Sequence, residues 1–212
     1  MFKWLGLVFC CTDVLAASVT IDIISKQHNP VFQAVVYLEP EAPSKTDVSS
    51  APISVMDQID RQFVPHILAI QKGTKVVFPN SDSIKHHVYS FSPAKSFELQ
   101  LYKDSPAQTI AFAVNGEVEL GCNVHDWMLA YIWVVDTPYF AKTDQLGRVT
   151  LDVPVGKYTL KVWHPRIKAE QDTLNQYIEV LDSTSISIQL QHDLFSDLSL
   201  YEQTNEGFTD YQ

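Results

Sequence analysis

The chain has 212 residues, 46% of them apolar, and carries a formal net charge of −10 at pH 7. That length and apolar content suit one large or two small packed domains. The charge weighs against nucleic acid or an anionic membrane surface as partner and favours a protein with a basic patch.

In chain order, residues 1–17 read as a signal peptide. Lys3 precedes an apolar run over 4–9, and the segment ends in Ala16-Ala17. The run is far too short to cross a bilayer, so export to the periplasm with cleavage after Ala16 or Ala17 is expected. Asp13 is unusual in such a leader, and the bulky residues before Cys10 and Cys11 disfavour lipoprotein processing. Cleavage removes Lys3 and Asp13 together, leaving the net charge unchanged. It also removes Cys10 and Cys11, leaving Cys122 as the single thiol of a chain in an oxidising compartment.

Short alternating or β-branched segments follow at 19–24, 34–38, 75–78, 97–101, 117–120, 129–135, 149–153, 157–163 and 184–190, with Pro, Gly, Asn and Asp between them. This predicts an all-β chain of sandwiches. The stretch 55–63 is the one place where a short helix, set inside a loop, is expected. A boundary is expected at Asp136-Thr137-Pro138, where an apolar strand runs into a Pro-containing turn. Residues 18–136 then form one domain and 137–192 a smaller one built of period-2 hairpins. The tail 193–212 holds five acidic residues and no basic one, with Leu194, Phe195, Leu198 and Leu200 at its start. It is expected to fray from about residue 201, with a short docking helix as the alternative.

The chemistry concentrates between two predicted strands. Cys122-Asn123-Val124-His125-Asp126-Trp127-Met128 is a tight loop that can fold a thiolate, an imidazole and a thioether onto one point. A second imidazole must come from elsewhere, and His86-His87, at the start of another strand, supplies it. Two His, one Cys and a weak axial Met are the ligands of a blue-copper site. Neighbouring strand residues face opposite sides, so either His86 or His87 is the ligand and not both. Taken singly, a buried Cys or Met is ordinary core; it is their joint spacing, with the upstream His pair, that points to a metal. His28, His66, His164 and His192 are read as surface or hydrogen-bonded residues.

This arrangement resembles the cupredoxins. The stretch 62–80, Gln62-Phe63-Val64-Pro65-His66 through Lys72-Gly73-Thr74 to Val77-Phe78-Pro79-Asn80, is similar to the strand, turn and strand that precede the first copper histidine in that family. The Cys-x2-His-x2-Met spacing is like the short amicyanin loop, and the phrases around His86 and Cys122 resemble exported bacterial proteins of the methylamine-utilisation or plastocyanin-like type. Trp163-His164-Pro165-Arg166 closes a strand in a trailing unit that resembles the carboxypeptidase-regulatory or prealbumin-like sandwich.

The resemblance implies an N-terminal cupredoxin Greek-key sandwich followed by a smaller prealbumin-like sandwich. It implies one type 1 copper held by His86, Cys122 and His125 with Met128 axial. His87 stands where familiar cupredoxins often carry a bracing Asn. The implied work is one-electron transfer with a periplasmic redox partner such as a c-type cytochrome or a dehydrogenase, without enzymatic turnover. Copper delivery or sensing, and a partner-binding module without redox chemistry, are the alternatives. A multicopper enzyme is disfavoured because no His-x-His pair is present, a dinuclear centre because the loop has one Cys, and a zinc hydrolase because HExxH is absent.

Overall fold

The computed structural model describes residues 15–42, 53–103, 109–167 and 171–196. The leader up to residue 14 and the tail from 197 lie outside the described residues. The chain is all-β. Its strands run β1 (Ala16–Ile24), β2 (Val35–Pro40), β3 (Ser54–Val55), β4 (Asp57–Ile59), β5 (Gln62–Val64), β6 (Ile67–Gln71), β7 (Lys75–Val77), β8 (His86–Ser92) and β9 (Lys95–Tyr102). They continue with β10 (Ile110–Ala111), β11 (Gly116–Gly121), β12 (Leu129–Val135), β13 (Phe140–Lys142), β14 (Arg148–Pro154), β15 (Gly156–Trp163), β16 (Gln176–Val180) and β17 (Thr184–Gln189). Among the described residues the one helical element is a 3-10 turn at Gln171–Leu174.

Two sandwiches result. The first joins the sheets β14-β1-β17 and β13-β2-β15-β16. Its β1 alternates strictly, burying Val19, Ile21 and Ile23, as a strand with one core face must. These residues share a core with Val36, Leu38, Leu151, Val153, Leu160, Val162 and Ile188. The second sandwich has a five-stranded sheet, β6-β12-β11-β8-β9, facing β10-β7-β3. Phe78, Phe112, Val88, Val118, Leu120, Ile132 and Val134 form its core, which also takes in Cys122 and Met128.

The strand pairing corrects the expected boundary. β1 lies antiparallel to β14 and parallel to β17, and β2 pairs with β13 and β15. Residues 16–40 therefore complete the sandwich of 137–192 instead of opening the one that holds Cys122. The chain builds two strands of a host, departs to form the second sandwich over 54–135, and returns. The physical reason is that β14 and β15 alone leave an apolar face bare, which β1 and β2 cover. Expected cleavage after Ala17 would remove two paired residues, Ala16 opposite Pro154 and Ala17 opposite Val153, and leave β1 from Ser18.

The expected helix at 55–63 is also corrected. Asp57 pairs with Val64 and Ile59 with Gln62, so β4 and β5 form a hairpin. Asp60 and Arg61 at its tip both have positive φ, 51° and 59°, the left-handed pair that a two-residue hairpin turn requires. Gln58, fully buried, and Phe63 face inward. At the tail, Leu194 packs on the host core and the Phe195 N–H donates to the Arg166 carbonyl at 3.0 Å.

The two sandwiches meet along an aromatic seam of Val35, Tyr37, Ile67, Val135 and Trp163, joined by Tyr131 and Trp133. Trp133 and Trp163 stack with centroids 4.6 Å apart and planes 13° from parallel. The Trp163 indole N–H donates to Glu117 Oε2 at 3.2 Å, and Lys142 Nζ donates to the Ile67 carbonyl at 2.6 Å.

Candidate metal centre

The site forms where β11 hands over to β12. Gly121 ends β11 opposite Tyr89 of β8, and a Cβ on Gly121 would lie 2.6 Å from the Tyr89 ring. Glycine at this position lets the two strands close up immediately before Cys122. The loop then turns tightly, the Met128 N–H donating to the His125 carbonyl at 3.0 Å. Cys122, His125 and Met128 turn inward, 4%, 9% and 2% exposed, while Val124 and Trp127 face solvent. The His125 ring lies between those of Trp127 and His86, 5.2 and 5.0 Å away centroid to centroid.

His86 opens β8 and is fully buried. Its Nδ1 is 4.0 Å from Cys122 Sγ, and its Nε2 is 3.0 Å from Asp82 Oδ2. One ligand atom each from His86, Cys122 and His125 all lie within 4.8 Å of one another. Among the described residues this is the group of His, Cys and carboxylate side chains placed to hold a metal ion.

His87 is not part of that group. Its Nε2 meets Glu98 Oε1 at 2.8 Å. A register shift between His86 and Val88 leaves both histidines buried, where a regular strand would have sent one out. Met128 shares a core cluster with Cys122, and both line a cleft with Tyr89, Phe91, Glu119 and Asp126. Of the other histidines, His66 sets its ring edge-on against Tyr131 and His164 is buried, its Nδ1 accepting the Arg166 N–H at 3.2 Å.

The electrostatics suit a cation. The hydrogen bond from His86 and the Arg61 backbone N–H bring the Asp82 carboxyl down to about 2, against the opposing effect of burial. An ionised carboxylate only accepts, so the proton of a neutral His86 sits on Nε2 and the Nδ1 lone pair is left for another partner. Burial, then the neighbouring His86 and Arg61, lower the pKa of His125, favouring the neutral imidazole that can ligate. His125 Nδ1 is buried with no hydrogen-bond partner. Such an atom costs about 1–3 kcal/mol if left so, and a soft ion bound by thiolate and imidazole is a partner that would satisfy it. The residues present therefore fit a copper ion.

Sequence reasoning missed the supports. Asn80 is buried and its amide donates to the Ile84 and Tyr102 carbonyls at 2.8 and 3.0 Å. Gln58 Nε2 donates to the Tyr102 hydroxyl at 2.5 Å, which in turn donates to the Phe78 carbonyl at 2.7 Å. Burial pushes the Tyr102 hydroxyl up to about 12. The one signal in the sequence was the Asn80-Ser81-Asp82 run, turn residues placed just upstream of His86.

No protein-family model and no curated protein matches the sequence. Among solved structures, 45% of the chain is similar to 25% of a Cu-containing nitrite reductase (NirK) from Thermus scotoductus SA-01, at 20% identity and a TM-score of 0.39. The chain thus covers a quarter of that enzyme's length. A purple cupredoxin from Nitrosopumilus maritimus is covered over 99% of its length by 39% of this chain, at 20% identity and a TM-score of 0.35. The reduced Cu(I) form of a P52G mutant of amicyanin is covered over 98% by 47% of this chain, at 17% identity and a TM-score of 0.36.

Proposed function

We propose that this chain is an exported electron carrier in which His86, Cys122, His125 and Met128 would hold one type 1 copper. The observation that carries the reading is the convergence of three buried donor atoms within 4.8 Å, with the His125 nitrogen otherwise orphaned. When bound, copper supplies a one-electron couple between Cu(II) and Cu(I).

Every other part is the work of the chain. β11 and β12 fix Cys122 and Met128 at the two ends of one loop, so the donors keep their places whichever oxidation state they serve, and reorganisation stays small. The apolar core beneath, with Leu120, Val88 and Ala130 fully buried, keeps water from the donors. Trp127 and Val124, 46% and 49% exposed, form an apolar rim over His125, through which the electron leaves. Glu117, Glu119 and Asp126 line the adjoining cleft and, with the net charge of −10, steer a basic partner. A periplasmic c-type cytochrome or dehydrogenase has that chemistry. Residues 1–17 serve as the export leader, and the host sandwich props the metal-binding one through the tryptophan seam.

The test is the visible absorption and EPR spectrum of the copper-loaded chain beside Cys122→Ser. An intense thiolate-to-copper band with narrow hyperfine splitting, lost in the variant, supports electron transfer. Tight but colourless copper binding would point to metal delivery, and no copper binding would end the metal reading.

A further inference from the structure

Resting on the copper reading above, we propose that Asp82 is the positioning residue of the centre: clamped by the β4–β5 turn, its carboxylate holds the His86 ring with Nε2 protonated and turns Nδ1 toward Cys122 as the donor. The clamp is complete before any ion arrives. Asp82 Oδ2 accepts the Arg61 N–H at 2.8 Å as well as facing His86 Nε2 at 3.0 Å. Oδ1 accepts the Ser83 N–H at 2.7 Å, and the Asp82 N–H donates to Asn80 Oδ1 at 3.0 Å. The carboxylate is thus fixed by one residue of a distant hairpin and one of its own loop, with Asn80 holding the Asp82 backbone, so it has little freedom left to lose when it orients the ring.

A carboxylate accepting from the far N–H makes the near nitrogen a stronger donor than a neutral carbonyl would. That favours the more highly charged oxidation state and lowers the reduction potential. The hairpin at 57–64 thereby acquires a function: its turn, with Arg61 in the left-handed region, delivers the N–H that anchors Asp82.

The protein carries its own control. His87 and Glu98 make a second histidine–carboxylate pair at 2.8 Å, yet His87 stands outside the ligand group and the Glu98 side chain is mostly exposed. Glu98→Gln removes a carboxylate from a neighbouring histidine without touching the ligand set.

The experiment uses the full chain, wild type beside Asp82→Ala, Asp82→Asn and Glu98→Gln. Long-range 1H–15N NMR of the metal-free protein reads the His86 tautomer, competition with a Cu(I) chelator reads affinity, and a redox titration reads the potential. The wild type is expected to show a single Nε2–H tautomer, and Asp82→Ala a mixture. Copper affinity in Asp82→Ala is expected to fall by about 10- to 100-fold, with a higher reduction potential in both Asp82 variants and no change in Glu98→Gln. Asp82→Asn has one oxygen left to meet the Arg61 N–H and the His86 ring while giving up the acceptor for the Ser83 N–H, and it removes the charge should the alanine variant not fold. An unchanged tautomer and potential without the carboxylate, or an equal shift in Glu98→Gln, would overturn the proposal. A wild type that binds no copper would defeat the copper reading, while the metal-free tautomer would still decide the role of Asp82.

Discussion

The two sandwiches differ in how completely they satisfy buried polar side chains. In the host, Thr143 is buried with its hydroxyl both donating to the Val31 carbonyl at 2.6 Å and accepting the Ala34 N–H at 2.9 Å, and Thr137 likewise donates to the Leu38 carbonyl at 2.7 Å. In the second sandwich, Gln58 Oε1, His87 Nδ1, His125 Nδ1 and Trp133 Nε1 are buried with no partner, and these are all the orphaned side-chain atoms among the described residues. A fold selected for stability alone satisfies such groups. Of these four, His125 Nδ1 is the one that lies in the cluster of thiol and imidazole, and an acceptor kept open there holds a place for another partner.

The largest test of that division is at the seam. Trp163→Ala removes the stack on Trp133 and leaves Glu117 without its indole donor. A loss of about 3–5 kcal/mol is expected from so large a fully buried side chain. Urea denaturation is expected to show one cooperative transition for the wild type and two for the variant as the sandwiches uncouple. One cooperative transition at unchanged midpoint would show that the seam does not join them.

Two polar-to-apolar exchanges should then differ in sign. Thr143→Val in the host strands the Ala34 N–H and the Val31 carbonyl, and is expected to destabilise by about 1–3 kcal/mol. His125→Leu removes an orphaned nitrogen, and in the metal-free chain is expected to raise the thermal midpoint while abolishing copper binding. Equal destabilisation by both would mean that His125 is a satisfied structural residue and would break the contrast.

The smallest effect lies on the host surface. Hydrogen bonding and charge from Arg148 lower the Asp22 pKa below its ordinary value, through contacts of 2.7 and 2.9 Å. A carboxylate depressed in the folded state stabilises above its unfolded pKa and loses that contribution as pH falls through the folded one. Asp22→Asn should therefore cost a little stability at neutral pH and nothing in strong acid, with salt shrinking the difference because the pair is solvent-exposed. Thermal melts across pH and ionic strength measure it, and a cost that persists at low pH would contradict the ion-pair origin.

Local patterns were legible wherever the physics is local. The run 129–135 is β12 residue for residue, since a short unbroken apolar stretch rich in β-branched and aromatic residues shows in any window of that length. The spacing of Cys122, His125 and Met128 likewise needs only a short loop to be read. The hairpin at 57–64 was misread because Val55, Met56, Ile59 and Phe63 mimic a helical period and its turn carries no glycine. Strand alternation alone leaves His86 and His87 as alternatives, of which the resemblance favours His86, and the register shift in β8 that buries both has no mark in the residues themselves.

What the sequence determined by itself is an all-β chain with a metal-type donor loop, because side-chain period and ligand spacing are properties of neighbours. Tertiary structure alone decided that residues 16–40 close the sandwich of 137–192, that His86 and not His87 meets Cys122, and that Asp82 stands behind His86. Each of these depends on strands or loops distant in sequence coming into register, and long-range pairing leaves no trace in local composition because its specificity lies in the complementarity of two buried faces.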